Sequence, residues 1–184
     1  MISKNAEMVY ATPLGMLRGY IRHDSSLHID AELKMHCPPL LSDMTVSECG
    51  ILQWNIRVTG KCPGVRAVCV LEPHSKVGGG SDSGQCFDAQ TWNDGTHILT
   101  LGTWDSEYLN ILASRNVIPR RFATEDTDGI HWVRYIDLGL EIEVPDLREG
   151  EMIALRFSFA WATKAVSGEH LATWFAANEA LAGC

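Results

Sequence analysis

The chain has 184 residues, 46% of them hydrophobic and 21% charged, enough apolar material to bury one full core without a second domain. A net charge of -8 and a pI near 5.3 exclude the broad basic stripe by which nonspecific nucleic-acid binders hold phosphate. Arg120-Arg121 is the only adjacent basic pair.

The opening MISKNAEMVYATPLG has no apolar segment of signal-peptide length. Nowhere do about 18 uncharged apolar residues run together as a membrane span requires. A soluble protein kept inside a cell is the expectation. The six cysteines, Cys37, Cys49, Cys62, Cys69, Cys86 and Cys184, form neither CxxC pairs nor zinc-finger spacings, which favours reduced, packed thiols.

Residues 1–26 read as an N-terminal extension. From Leu27 to Met35, apolar side chains alternate with His28, Asp30, Glu32 and Lys34, the period of a half-exposed strand. Cys37-Pro38-Pro39 stops it, because proline has no N–H for a ladder. Leu40 to Ser47 is a weaker strand candidate. Ile51 to Thr59 alternates around Leu52, Trp54, Ile56 and Val58, and after the Gly60 and Gly64 turn Val65 to Leu71 runs almost uninterruptedly apolar, as a deeply buried strand does.

Ser75 to Gln85, with four glycines and three serines, reads as an exposed loop. Thr96 to Trp104 and Glu107 to Ala113 follow as strands, although Tyr108, Leu109, Ile111 and Leu112 also suit one face of a helix. Ile130 to Val144 keeps its apolar residues at even positions, interrupted at Arg134. After the Pro145 to Gly150 turn, Met152 to Ala162 forms the last strand. From Ser167, read as the helix cap, Leu171, Trp174, Phe175 and Leu181 fall at helical spacing. The fold expected is all-β, an eight-stranded antiparallel β-sandwich over residues 27–162, with a short C-terminal helix and tail over 163–184.

The order ILQWNIRVTG, GVRAVCVLEP, GTHILTLGTWDSEYLNIL, a segment with Ile118-Pro119 and two long final strands resembles the jelly-roll coat (capsid) proteins of picorna-like viruses. The small coat proteins of the plant-infecting group, of comovirus or secovirus type, are the most similar. Leu71-Glu72-Pro73 and the Gly95-Thr96-His97 turn carry part of that likeness, which spans about Leu27 to Ala162.

The resemblance implies strands B (Leu27–Met35), C (Leu40–Ser47), D (Ile51–Thr59), E (Val65–Leu71), F (Thr96–Trp104), G (Glu107–Ala113), H (Ile130–Val144) and I (Met152–Ala162). B, I, D and G would share one sheet and C, H, E and F the other. It also implies a structural protein and not an enzyme. Such a subunit assembles with copies of itself and with other coat proteins into an icosahedral virion around genomic RNA, without a basic arm, a cofactor or a membrane. Assembly would take place in the host cytoplasm. Lys76, Asp82, Arg120, Arg121, Glu125, Asp126 and Asp128 are the surface-loop candidates for contacts between subunits.

Other chemistries have weaker support. His28, Asp30, Glu32 and His36 share one strand face, where side chains two apart can converge on a metal, but Lys34 interrupts them and a solvated face explains them as well. Glu125, Asp126 and Asp128 lack the downstream bidentate Glu of a calcium loop. Trp92, Asn93 and Asp94 with Trp104 and Asp105 offer an aromatic platform beside amide and carboxylate, the chemistry of a sugar-binding sandwich. Core packing and a turn at Asn93-Asp94-Gly95 account for them equally. No GxSxG, phosphate loop or cysteine–histidine order points to catalysis.

Overall fold

The computed structural model describes residues 6–22, 27–36, 45–60, 62, 64–123, 132–163 and 169–182. Two antiparallel sheets face each other. The first has the order β1 (Met8–Thr12), β2 (Gly15–Arg22), β5 (Val65–Pro73), β10 (Gly139–Val144) and β9 (Val133–Ile136). The second runs β3 (Leu27–His36), β4 (Glu48–Val58), β11 (Met152–Thr163), β8 (His97–Trp104), β7 (Phe87–Asn93) and β6 (Gly78–Gly84). Helix α1 (Ser106–Ser114) and a 3-10 turn at Arg120–Ala123 contribute Leu109, Leu112, Ala113 and Phe122 to the core between the sheets. Helix α2 (Glu169–Ala182) lies on the outer face of the second sheet.

The all-β sandwich expectation stands in this form, with eleven strands among the described residues where eight were expected. Leu52, Trp54, Ile56 and Val58 of β4 point inward against Leu17 and Ile21 of β2 and Ala67 and Cys69 of β5. β5 lies between β2 and β10 in the first sheet, which is why its sequence is so apolar. Burial pushes the Cys69 thiol far up, so it stays protonated. Cys62, Cys69 and Cys86 carry free thiols.

Several expectations need correction. The N-terminal extension contains β1 and β2, whose inward residues include Gly15 and Gly19 and so lack a full apolar stripe. Trp54 supplies the missing volume: a Cβ on Gly19 would lie 2.7 Å from its ring. The Gly-rich loop is exposed as expected, yet Gly78 to Gly84 pairs with β7 along its whole length through backbone hydrogen bonds, with no side-chain pattern to announce it. Glu107 to Ala113 is helical, because the Asp105 carboxylate accepts the Tyr108 N–H at 2.7 Å and caps the first turn.

The long strand H reverses at Asp137-Leu138, where Leu138 takes φ 53°, and pairs with itself as β9 and β10. Arg134, the interruption in its pattern, lies opposite Glu141 and bonds it. Most of the strand C candidate, the Ser167 cap, and Ile130 and His131 lie outside the described residues. The sheet partition also departs from the jelly-roll letters. β3 pairs directly with β4, β11 sits between β4 and β8, and β8 shares their sheet instead of that of β5 and β10.

Of the large α2 residues at helical spacing, Leu181 is buried and Trp174 packs beside it, and the rest of the buried face is small. Ala176, Ala177, Ala180 and Leu181 pack on Cys49, Ile51, Phe87, Ala89 and Ala160, while Leu171 is exposed. Small residues bring the helix axis close to the sheet, so that Cys49 Sγ donates to the Ala176 carbonyl at 3.3 Å and Thr100 Oγ1 donates to Thr173 Oγ1 at 2.9 Å. At the opposite edge, the Tyr135 hydroxyl of β9 shares its one proton between Asp88 Oδ1 at 3.0 Å and the Asp82 carbonyl at 3.1 Å, joining the two sheets. The outer face of the first sheet is covered by ion pairs, Arg18 with Glu7 and Glu72, Arg66 with Glu143, and Arg134 with Glu141 and Glu143.

Candidate interaction surface

The structure does not assemble the sugar-site residues. Trp92 is buried in the core, and Asn93 and Asp94 lie at one end of the β7–β8 pair while Trp104 and Asp105 lie at the other. Leu99, opposite Trp92, is five strand residues from Trp104, about 17 Å. Each carboxylate serves its own turn. Asp94 accepts the N–H groups of Thr96 and His97 at 2.8 and 2.7 Å, which hold its pKa below the ordinary value, and Asp105 caps α1. The Trp104 ring is occupied by the Arg156 guanidinium, 5.3 Å from its centroid, and by Tyr108 at 5.6 Å.

On β3, His28 Nε2 lies 3.5 Å from Asp30, and Glu32 is paired with Lys34 at 3.3 Å. No cluster of three metal-ligating side chains forms among the described residues. Of the surface-loop candidates, Lys76 and Asp82 are exposed beside β6 and on it, far along the sheet from Arg120, which is exposed on the 3-10 turn. Arg121 is turned inward. Glu125, Asp126 and Asp128 lie outside the described residues.

What the fold does bring together is the part of the second sheet's outer face that α2 leaves uncovered. Strand register sets His28, Arg57 and Met152 in one row across β3, β4 and β11, with Asp30, Asn55 and Ala154 in the next. Val117, on the segment after α1, joins these rows to line a depression of about 400 Å³. A second depression of about 420 Å³, between Asn116 to Arg121 and Glu151, shares Val117 and Met152 with the first. These two side chains form an apolar ledge between the depressions. At 62% and 60% exposure they are the most solvent-accessible large hydrophobic residues described. Apolar side chains exposed together and rimmed by polar groups make this the candidate interaction surface among the described residues.

The ledge is held by defined backbone and side-chain contacts. α1 ends with Asn116 at φ 60°, the Asn116 N–H bonded to the Ala113 carbonyl and the Val117 N–H to that of Leu112, both at 2.9 Å. This left-handed C-cap fixes the backbone of Val117. Two residues beyond Pro119, Arg121 stacks on Phe122 at 4.2 Å and grips Glu151 through two hydrogen bonds of 2.9 Å. Phe122 in turn packs edge-on against buried Trp132. Glu151 precedes Met152, so this bidentate pair ties the two halves of the ledge to each other.

The Arg121 guanidinium holds the Glu151 carboxyl below the ordinary glutamate value of 4.5. A depressed native pKa adds stability that is complete above the unfolded value and is lost as pH falls through the native one. Arg121→Ala is therefore expected to cost about 1–2 kcal/mol at neutral pH. It should also flatten the acid limb of thermal stability followed from about pH 6 to about pH 3. An acid limb identical to that of the wild type would contradict the assignment.

Sequence reasoning identified Arg120 and Arg121 but missed Arg57, Val117 and Met152, which are separated along the chain by 60 and 35 residues. The exposed methionine at the start of an alternating strand was the available signal. Searches against protein-family models, curated proteins and solved structures find no match for this chain.

Proposed function

We propose that the chain is a structural coat subunit, which assembles with copies of itself and with other coat proteins into an icosahedral shell around RNA. The observation that carries this reading is the Val117–Met152 ledge, an apolar surface left open on a rigid sandwich. A subunit of this kind works by burying surface against neighbours, and needs exposed apolar groups on elements that do not rearrange. The two-sheet antiparallel architecture suits a shell wall, since its loops and edges are free to vary while the core stays fixed. Because β8 and β11 depart from the jelly-roll order, support comes from the surface and from the sandwich, not from strand-by-strand correspondence.

The test is to purify the full chain, alone and from its native source, and to follow it by light scattering and negative-stain electron microscopy. Concentration-dependent growth into closed particles of uniform diameter is the expected result. A protein that stays monomeric at every concentration, and whose native material contains no particles, would remove the proposal.

A further inference from the structure

The arginines of this chain differ in whether their guanidinium groups have partners. Those on the first sheet's outer face pair with glutamates, Arg121 grips Glu151, Arg156 bonds Gln53 at 2.9 Å, and Arg22 reaches Tyr20 at 2.9 Å. Arg57, Arg115, Arg120 and Arg148 are exposed, and their guanidinium groups make no hydrogen bond or ion pair among the described residues. Two of the four border the ledge, Arg57 in the first depression, where Asp30 also lies, and Arg120 in the second. A chain of net charge -8 thus sets a guanidinium group without an ion-pair partner on either side of its most exposed apolar pair.

We propose that this ledge is one half of a heterologous contact with a second copy of the chain. Val117 and Met152 bury against the neighbour, and Arg57 and Arg120 receive carboxylates from the neighbour's acidic surface. The inference rests on the assembly reading above. Charge argues for the geometry. Copies of an acidic chain repel on average, so a close approach is favoured where a local positive patch meets the acidic remainder. Two ledges set face to face would instead oppose arginine to arginine, which disfavours an isologous dimer. Heterologous contacts generate rings and closed shells when the rotation closes. A partner made of phosphates fits less well, because the centre of the site is aliphatic and cannot contact phosphate oxygens.

Sedimentation velocity on the full chain, over a concentration series at low and high salt, tests this. The Arg57→Glu/Arg120→Glu double variant and Met152→Asp should each weaken self-association by at least about tenfold. High salt should weaken the wild type in the same direction. Lys76→Glu, exposed beside β6 and away from the ledge, should leave association unchanged. All of these positions are exposed, so thermal melts should match the wild type. If the wild type assembles and the ledge variants assemble equally well, the ledge is not the contact and the assembly reading survives. If the wild type never associates, the assembly reading itself fails. Binding of a single-stranded RNA oligonucleotide that the double variant loses, with self-association unaffected, would assign the arginines to phosphate and overturn the proposal.

Discussion

Trp54→Ala is expected to destabilise the protein by about 3–5 kcal/mol, the range for deleting a large buried aromatic side chain. The indole is fully buried and makes three separate contributions to the core. Its Nε1 donates to the Ala6 carbonyl at 2.7 Å, which ties the start of the described chain to the core. Its ring meets Phe157 edge-on at 6.0 Å and occupies the space above Gly19 on the opposing sheet. Alanine leaves a cavity and an unsatisfied carbonyl together, and the first sheet loses the side chain that stands in for its own missing one.

Urea denaturation measures the loss directly, and a shift below about 1 kcal/mol would refute this account of the core. Coupling provides a stricter check. Gly19→Ala should be harmful in the wild type, where its Cβ meets the ring, and less harmful when Trp54 is leucine.

Gly102→Ala is expected to cost about 3 kcal/mol, at the upper end of the range for overpacking a closed core. A Cβ at this position would lie 2.0 Å from the Phe87 ring, which is itself fully buried and held edge-on by Trp174 of α2 at 5.3 Å. The ring can move only by displacing the helix. Amide hydrogen exchange should therefore quicken along α2 more than in β4 or β5, and Phe87→Leu should restore part of the loss. Uniform exchange changes across both sheets would mean that the strain is not transmitted through Phe87.

These two glycines also explain what was legible before the structure. Strands whose inward positions carry their own side chains, such as Leu52 to Val58 or Ile153 to Phe159, announce themselves by period two. β2 does not, because the volume at Gly19 comes from Trp54, 35 residues later in the chain. β6 has backbone pairing and almost no side chains, so no pattern exists to be read. At α1, apolar spacing suited both helix and strand, and the Asp105 cap decided between them.

Periodicity specifies which face of a strand is buried but not which strand lies beside it. The alternation of β8 and β11 was plain while their place next to each other was not. The ledge was hidden for the same reason, since Arg57 and Met152 become neighbours only through the β4–β11 register.

The placement of β11 has a consequence for how the chain is made. It is the central strand of the second sheet, paired with β4 from Glu48↔Trp161 to Arg57↔Met152 and with β8 on its other side. Until residues 152–163 leave the ribosome, β3–β4 and β6–β7–β8 are separate half-sheets, each with an inner edge awaiting its partner. Contacts so distant in sequence form slowly. The unfinished edges of β4 and β8 are exposed to other nascent chains throughout that interval, and such edges are where aggregation begins. A product truncated before β11 would thus be expected to clump, however well its earlier strands are encoded.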